Sequence, residues 1–180
     1  MTAITPPPHI DAWIQTATGR AFWPLDPRPA DIAIEDIGHA LAHQCRYAGH
    51  THWFYSVAQH SVLVSQHVPT EHALWGLLHD ASEAYLVDVP RPLKAYLPDY
   101  LAAEARLMHA VCDRFGLPPE MPAAVARTDA AILLDEREHL MGRPPMDWSV
   151  PYPALGIAIT PWSPQEACVR FLRRFVELSC

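Results

Sequence analysis

No stretch of this chain approaches the ~18 consecutive apolar residues that a membrane-spanning helix needs, so no membrane partner is expected. The opening MTAITPPPHIDAW lacks the basic-then-apolar shape of a signal peptide, and the expected location is cytoplasmic. Cysteine is sparse. Cys45, Cys112, Cys168 and Cys180 show no metal-finger or redox spacing, which excludes a disulfide framework and a zinc finger. The first three fall in helix-like segments and are expected to be reduced, mostly in the core. Positive charge is also short: 13 Lys and Arg face 20 Asp and Glu, for a net charge of -7 and a pI near 5.8. That argues against a nucleic-acid polymer, whose phosphates call for a clustered basic patch. It leaves open a small anionic substrate, which needs only local positive charge. No Walker-type glycine-rich loop, internal repeat or low-complexity segment is present.

What the chain does have is 180 residues, half of them hydrophobic, enough for one domain with a real core. The reading is a single domain over 1–180, with an N-terminal extension at 1–33 and a Pro-rich loop at 143–161. Nineteen prolines punctuate helical stretches, and eleven histidines stand out. Residues 1–10 should be extended. Ala12 to Leu25, turning at Thr18-Gly19, is the one convincing strand candidate, a short β-hairpin. Helices are expected at Ile34–Tyr47, Phe54–Val68, Glu71–Leu86 (capped by Thr70), Asp99–Phe115 and Pro122–Leu140. Ser163-Pro164-Gln165-Glu166 is a capping box with Pro at its first position, opening a last helix to about Leu178. The fold class is therefore all-α, a bundle of about six helices with a short hairpin before it.

The chain is organised around Leu74–Lys94, LWGLLHDASEAYLVDVPRPLK. His79 and Asp80 are adjacent, Glu83 follows one turn on, and Asp88 lies just past the helix. A buried helix carrying these groups is costly unless they are paired or bound to a metal. His60 on the preceding helix can supply a third ligand. Asp129 or Asp135 on the long fifth helix can close the set. Asp129 opens an apolar stretch and should be buried, while Asp135 sits among Glu136, Arg137 and Glu138 and reads as more solvated. Mixed N and O ligands suit one divalent ion, Zn, Co, Mn, Fe or Ni rather than Mg. Such a centre leaves open positions for water and a phosphate oxygen. Glu83 can orient the water, and Asp88 can protonate a leaving oxygen. His39 and His43 are spaced i, i+4 but no Glu follows His39, so they read as packing or cleft wall. His50 and His52 are near enough in sequence to touch a phosphate. Trp75 reads as core, and Trp23 as hairpin packing or a base-pocket wall.

The combination His60…His79-Asp80…Asp129 on helices resembles the HD-domain superfamily of metal-dependent phosphohydrolases. SVAQHSVLVS at 56–65 and LLHDASEAYLVDVPRPLK at 77–94 are similar to segments of bacterial 5′-deoxynucleotidases and of small phage HD phosphohydrolases acting on deoxynucleotides. The likeness covers about residues 44 to 136. It implies metal ligands at His60, His79, Asp80 and Asp129, acid–base or water-positioning roles at Glu83 and Asp88, and phosphate contacts at Arg46 and Lys94. Where the nucleotidases carry Arg-Trp-Pro, this chain has Arg46-Tyr47-Ala48. The implied activity is hydrolysis of a phosphoester in a (deoxy)nucleotide. It is either a 5′-monophosphate cut to nucleoside and phosphate, or a deoxynucleoside triphosphate cut to nucleoside and triphosphate. The resemblance also implies a homo-oligomer. The alternative is a non-catalytic metal-binding module acting as a nucleotide sensor or partner protein, and a third reading is a purely helical scaffold.

Overall fold

The computed structural model describes residues 12–179; the Pro-rich opening and Cys180 lie outside them. The fold is all-α with one two-stranded hairpin at the start. Strand β1 (Ile14–Gln15) pairs antiparallel with β2 (Ala21–Phe22), Ile14 opposite Phe22. Gly19 turns the hairpin at φ 81, a conformation only glycine adopts freely. The hairpin is tied to the bundle by Asp36, which accepts from the Thr18 backbone N–H at 2.7 Å and the Thr18 hydroxyl at 2.8 Å.

Eight helices follow among the described residues: α1 (Ile34–His43), α2 (Val57–His67), α3 (Ala73–Leu78), α4 (Glu83–Leu86), α5 (Arg91–Lys94), α6 (Pro98–Phe115), α7 (Ala123–Leu140) and α8 (Pro164–Leu178). Ser163 caps α8 as its box predicts, accepting from the Glu166 N–H. Gly116 closes α6 in the left-handed conformation.

Helix α2 is central, touching α1, α3, α7 and α8. It is buried nearly all round, so its polar residues serve as internal ties. Ser56 caps it. Gln59 donates to the Thr160 carbonyl and accepts from the Trp162 N–H. Ser65 donates to the Ala73 carbonyl. Gly76 lets α3 lie close on α2: a Cβ there would stand 3.1 Å from Ser65 Cα. Apolar burial is divided between a cluster around Phe22, Ile37, Leu41, Leu78, Leu107 and Phe171 and a second around Tyr55, Val64, Trp75, Ile132 and Leu140.

Three sequence expectations need correction. The third helix does not run unbroken from Glu71 to Leu86. Thr70–His72 form a 3-10 turn, and His72 rather than Thr70 precedes α3, with no side-chain cap. The ladder then tightens between 78 and 85, where Ala81 N bonds Leu78 O, Glu83 N bonds Asp80 O and Tyr85 N bonds Ser82 O. The first helix ends at His43, because Arg46–Gly49 turn with Tyr47 and Ala48 at positive φ (56 and 50). Cys45 is exposed in that connection; Cys112 is buried and Cys168 half-buried. Asp135 is not solvated but 2% exposed, its carboxylate accepting the backbone N–H groups of Leu155, Gly156 and Ile157 at 2.7, 2.8 and 3.0 Å. It anchors the returning Pro-rich segment, a long irregular stretch of the described residues.

Candidate metal centre

Three elements deliver three ligand atoms to one point. His60 stands in the middle of α2, His79 at the end of α3, and Asp129 in the first half of α7. His60 Nε2 lies 3.2 Å from His79 Nε2 and 3.1 Å from Asp129 Oδ1, and His79 Nε2 is 3.8 Å from the same oxygen. Asp80 closes in beside them, its Oδ2 3.2 Å from His79 Nε2 and 3.8 Å from His60 Nε2. The tightened backbone at 78–85 brings these two neighbours round to one side.

The outer nitrogens fix the tautomers. His79 Nδ1 is 2.8 Å from the Gly76 carbonyl, which can only accept, so Nδ1 carries the hydrogen. His60 Nδ1 is 2.6 Å from Glu136 Oε1 and donates to that carboxylate. In the neutral imidazoles both Nε2 lone pairs therefore point at each other and at a carboxylate oxygen. Three acceptors this close repel unless a cation stands among them. Ligand atoms ~2.0–2.2 Å from one ion lie roughly 3–3.5 Å apart; the 3.1 and 3.2 Å separations match that spacing, and the two of 3.8 Å are a few tenths of an ångström wider. The group His60, His79 and Asp129 could hold a metal ion. Without one, the charge imbalance appears in the protonation equilibria. Burial alone would lower the His79 pKa, yet the Asp80 and Asp129 carboxylates raise it well above the usual value. Burial opposes ionisation of Asp80 and Asp129 as well, but the two imidazoles, with Arg46 helping at Asp80, hold Asp80 down to about 2 and Asp129 lower still.

Glu136 is the residue sequence reasoning missed. It is fully buried and gathers four groups: His60 Nδ1, the Tyr55 hydroxyl at 2.8 Å, the Tyr47 hydroxyl, and Arg46 Nε at 3.4 Å. Arg46 Nε is close enough for charge attraction but makes no well-formed hydrogen bond. Burial would push the Glu136 carboxyl up; Arg46, His60 and the Tyr47 hydroxyl hold it near 2 instead. The signal for it was its place seven residues, two turns, after Asp129, on the same face of α7.

A cavity of about 580 Å³ opens over the centre, within the usual range for a small-molecule site. Arg46, Asp80, Glu83, Asp88, Lys94 and Asp129 all line it, with Val89, Leu133 and Met141 among its apolar walls. Glu83 is 7% exposed, and its carboxyl is pushed up to about 9 by burial and by the charges of Asp80 and Asp88, against the pull of Arg46 and Lys94. Asp88 stands at the mouth, after Val87, whose φ of 62 is strained for a β-branched residue. The two basic residues in the expected substrate set are already engaged. Arg46 Nη1 is 3.4 Å from Asp80 Oδ2, and Lys94 Nζ is 2.7 Å from Glu104, 3.4 Å from Asp88 and 4.0 Å from Glu83. His50 lines the cavity. His39 and His43 stack on each other, ring centroids 4.3 Å apart, and His39 lines a separate hollow under the hairpin.

The fold and site together define an all-α protein with a candidate His/Asp metal centre beneath an open cavity. No family model matches the chain. It is 41% identical over 175 residues to the uncharacterized protein YfdR of Escherichia coli (strain K12), covering 93% of this chain and 96% of that protein. This chain belongs to the family of YfdR. It is also 42% identical over 126 residues to the uncharacterized protein RCAP_rcc00048 of Rhodobacter capsulatus, covering 64% of each. Among the described residues no helix is long and apolar enough to cross a membrane.

Proposed function

We propose that this protein is a metal-dependent phosphohydrolase of the HD type that hydrolyses a phosphoester in a nucleotide, with deoxynucleotides the leading candidates. The observation that carries the reading is the set of mutually facing acceptors, His60 Nε2, His79 Nε2 and Asp129 Oδ1, with Asp129 lining the cavity that Asp80, Glu83 and Asp88 also line. His60, His79, Asp80 and Asp129 would hold the ion. Bound there, it would polarise a phosphate oxygen and make water more acidic.

The remaining steps belong to the chain's own side chains. Glu83 orients the attacking water and takes its proton in the ionised form, which the charge of a bound ion would favour against the protonated form that burial, Asp80 and Asp88 otherwise hold. Lys94 holds Glu83 and Asp88 in place through their carboxylates while anchored on Glu104. Asp88, at the mouth, relays to the leaving oxygen a proton that its carboxylate first takes from solvent. Arg46 fixes Asp80 and Glu136 relative to each other, and its guanidinium also faces the cavity, where a phosphate oxygen can meet it.

The test is chromatographic product analysis on ribo- and deoxynucleoside mono- and triphosphates, with Co²⁺ or Mn²⁺ and a chelator control. Metal-dependent formation of nucleoside supports the reading, and its companion, phosphate or triphosphate, names the reaction. Metal-loaded protein that leaves the whole panel unchanged overturns it in favour of a sensor module.

A further inference from the structure

The connection between α1 and α2 holds its backbone where side-chain-bearing residues rarely go. Tyr47 (φ 56, ψ 31) and Ala48 (φ 50, ψ 31) are both left-handed, and Gly49 follows at φ 80. For the two that carry a Cβ this conformation costs free energy, and it persists only where the surroundings hold it. A buried contact that holds it runs to Glu136. The Tyr47 hydroxyl donates to Glu136 Oε2, and Arg46 Nε lies 3.4 Å from the same oxygen. Burial and the Glu136 charge push the Tyr47 phenol far above its ordinary range, so it remains a donor. Two backbone bonds frame the turn: Arg46 N–H donates to the Tyr55 carbonyl and His50 N–H to the Tyr47 carbonyl, both at 2.9 Å.

The other oxygen of Glu136 serves the candidate metal centre. Oε1 accepts from His60 Nδ1 at 2.6 Å and from the Tyr55 hydroxyl at 2.8 Å. The contacts Tyr47–Glu136–His60 therefore join a strained turn to a ligand ring, and Arg46 Nη1, 3.4 Å from Asp80 Oδ2, reaches a second ligand from the same turn. Tyr47, Ala48 and His50 also line the cavity. We infer that Tyr47 is a positioning residue that couples the ion to the cavity wall: an ion on His60 favours the left-handed turn, and the turn in place tightens the ion. An ion on Nε2 fixes the His60 ring and, through Nδ1–H, the Glu136 carboxylate that the Tyr47 hydroxyl must meet. A relaxed turn leaves Glu136 one donor short and less firmly set behind His60. Such coupling acts equally in both directions. Its consequence is a cavity whose wall is complete only when the ion is loaded. The inference rests on the metal centre of the reading above and is independent of hydrolysis.

The experiment compares wild type, Tyr47→Phe and Tyr55→Phe. It reads Co²⁺ affinity by competition with a chromophoric chelator, and hydrogen exchange of residues 46–50 with and without Co²⁺. Tyr47→Phe keeps the ring and removes only the hydroxyl; Tyr55→Phe removes the other hydroxyl on Glu136 and leaves the turn's own contacts in place. The expected result is exchange at 46–50 slowed by Co²⁺ roughly 5-fold or more in wild type and Tyr55→Phe but not in Tyr47→Phe, whose Kd for Co²⁺ rises roughly 3- to 10-fold. Unchanged Co²⁺ affinity in Tyr47→Phe overturns the inference and leaves the His/Asp centre standing. So does wild-type exchange at 46–50 that ignores the ion, or an equal loss of protection in Tyr55→Phe. Absence of saturable Co²⁺ binding in wild type overturns the inference and the centre together. Ion-linked protection in a protein that hydrolyses no nucleotide contradicts the hydrolase reading alone.

Discussion

Glu136 Oε1 accepts the Nδ1–H of His60 at 2.6 Å, on the side of the ring away from the candidate metal centre. A carboxylate in that position orients the imidazole, fixes its tautomer and makes Nε2 a better donor to a metal. Glu136→Gln should therefore weaken divalent-metal affinity roughly 10- to 100-fold while the protein remains folded at neutral pH. Competition against a chromophoric chelator measures it, and unchanged affinity would remove Glu136 from the site.

Asp80 and Glu83 should separate by what they lose. Asp80→Ala should lose both metal and turnover. Glu83→Gln should keep its metal and lose rate by roughly 10²- to 10⁴-fold, the usual contribution of a positioned acid or base. Metal content by elemental analysis, taken beside the rate, distinguishes them; an active Asp80→Ala protein would contradict the assignment.

Glu83 also predicts a pH dependence of stability in chelator-treated protein. Its carboxyl is raised to about 9 in the folded chain by burial and by Asp80 and Asp88, from an ordinary 4.5. Between these values the folded state keeps a proton that the unfolded state has released, so stability falls as pH rises through the window. The slope contributed is at most about 1.4 kcal/mol per pH unit. Glu83→Gln carries no such proton and should flatten the profile. Urea denaturation across pH 5 to about 9 measures it, and a slope equal in both proteins would count against the burial of Glu83.

Asp135 holds the Pro-rich segment by three backbone N–H bonds at Leu155, Gly156 and Ile157. Asp135→Ala leaves those donors without their acceptor, and a loss of about 3 kcal/mol is expected. Faster hydrogen exchange should be confined at first to residues 155–157. Uniform exchange across the chain would show that the tie is not local.

The elements differed in how readily the sequence disclosed them. The hairpin, α6, α7 and α8 were legible because turn glycines, flanking prolines and a capping box mark their ends. His60, His79 and Asp80 could be singled out because a metal centre needs several imidazole and carboxylate groups on neighbouring helices, the resemblance to HD phosphohydrolases adds Asp129 to them, and the structure brings all four side chains together. The interruption at 79–82 was hidden: HDASEAYL reads as continuous helix, while the backbone there closes i to i−3 bonds, Ala81 to Leu78 and Glu83 to Asp80. Asp135 and Glu136 sit in a run of four charged residues that reads as a solvated face. Their burial depends on the 155–157 segment and on the positive-φ turn at Tyr47 and Ala48, both distant in sequence.

The most direct measurement is an equilibrium titration of chelator-treated protein with Co²⁺ or Mn²⁺, for wild type, His60→Ala, His79→Ala and Asp129→Ala. One saturable ion per chain in wild type, raising the thermal unfolding midpoint and lost or greatly weakened in all three variants, is the expected result. Absence of saturable binding in wild type, with stability indifferent to chelator and to His79→Ala, would contradict the metal centre and leave a helical scaffold.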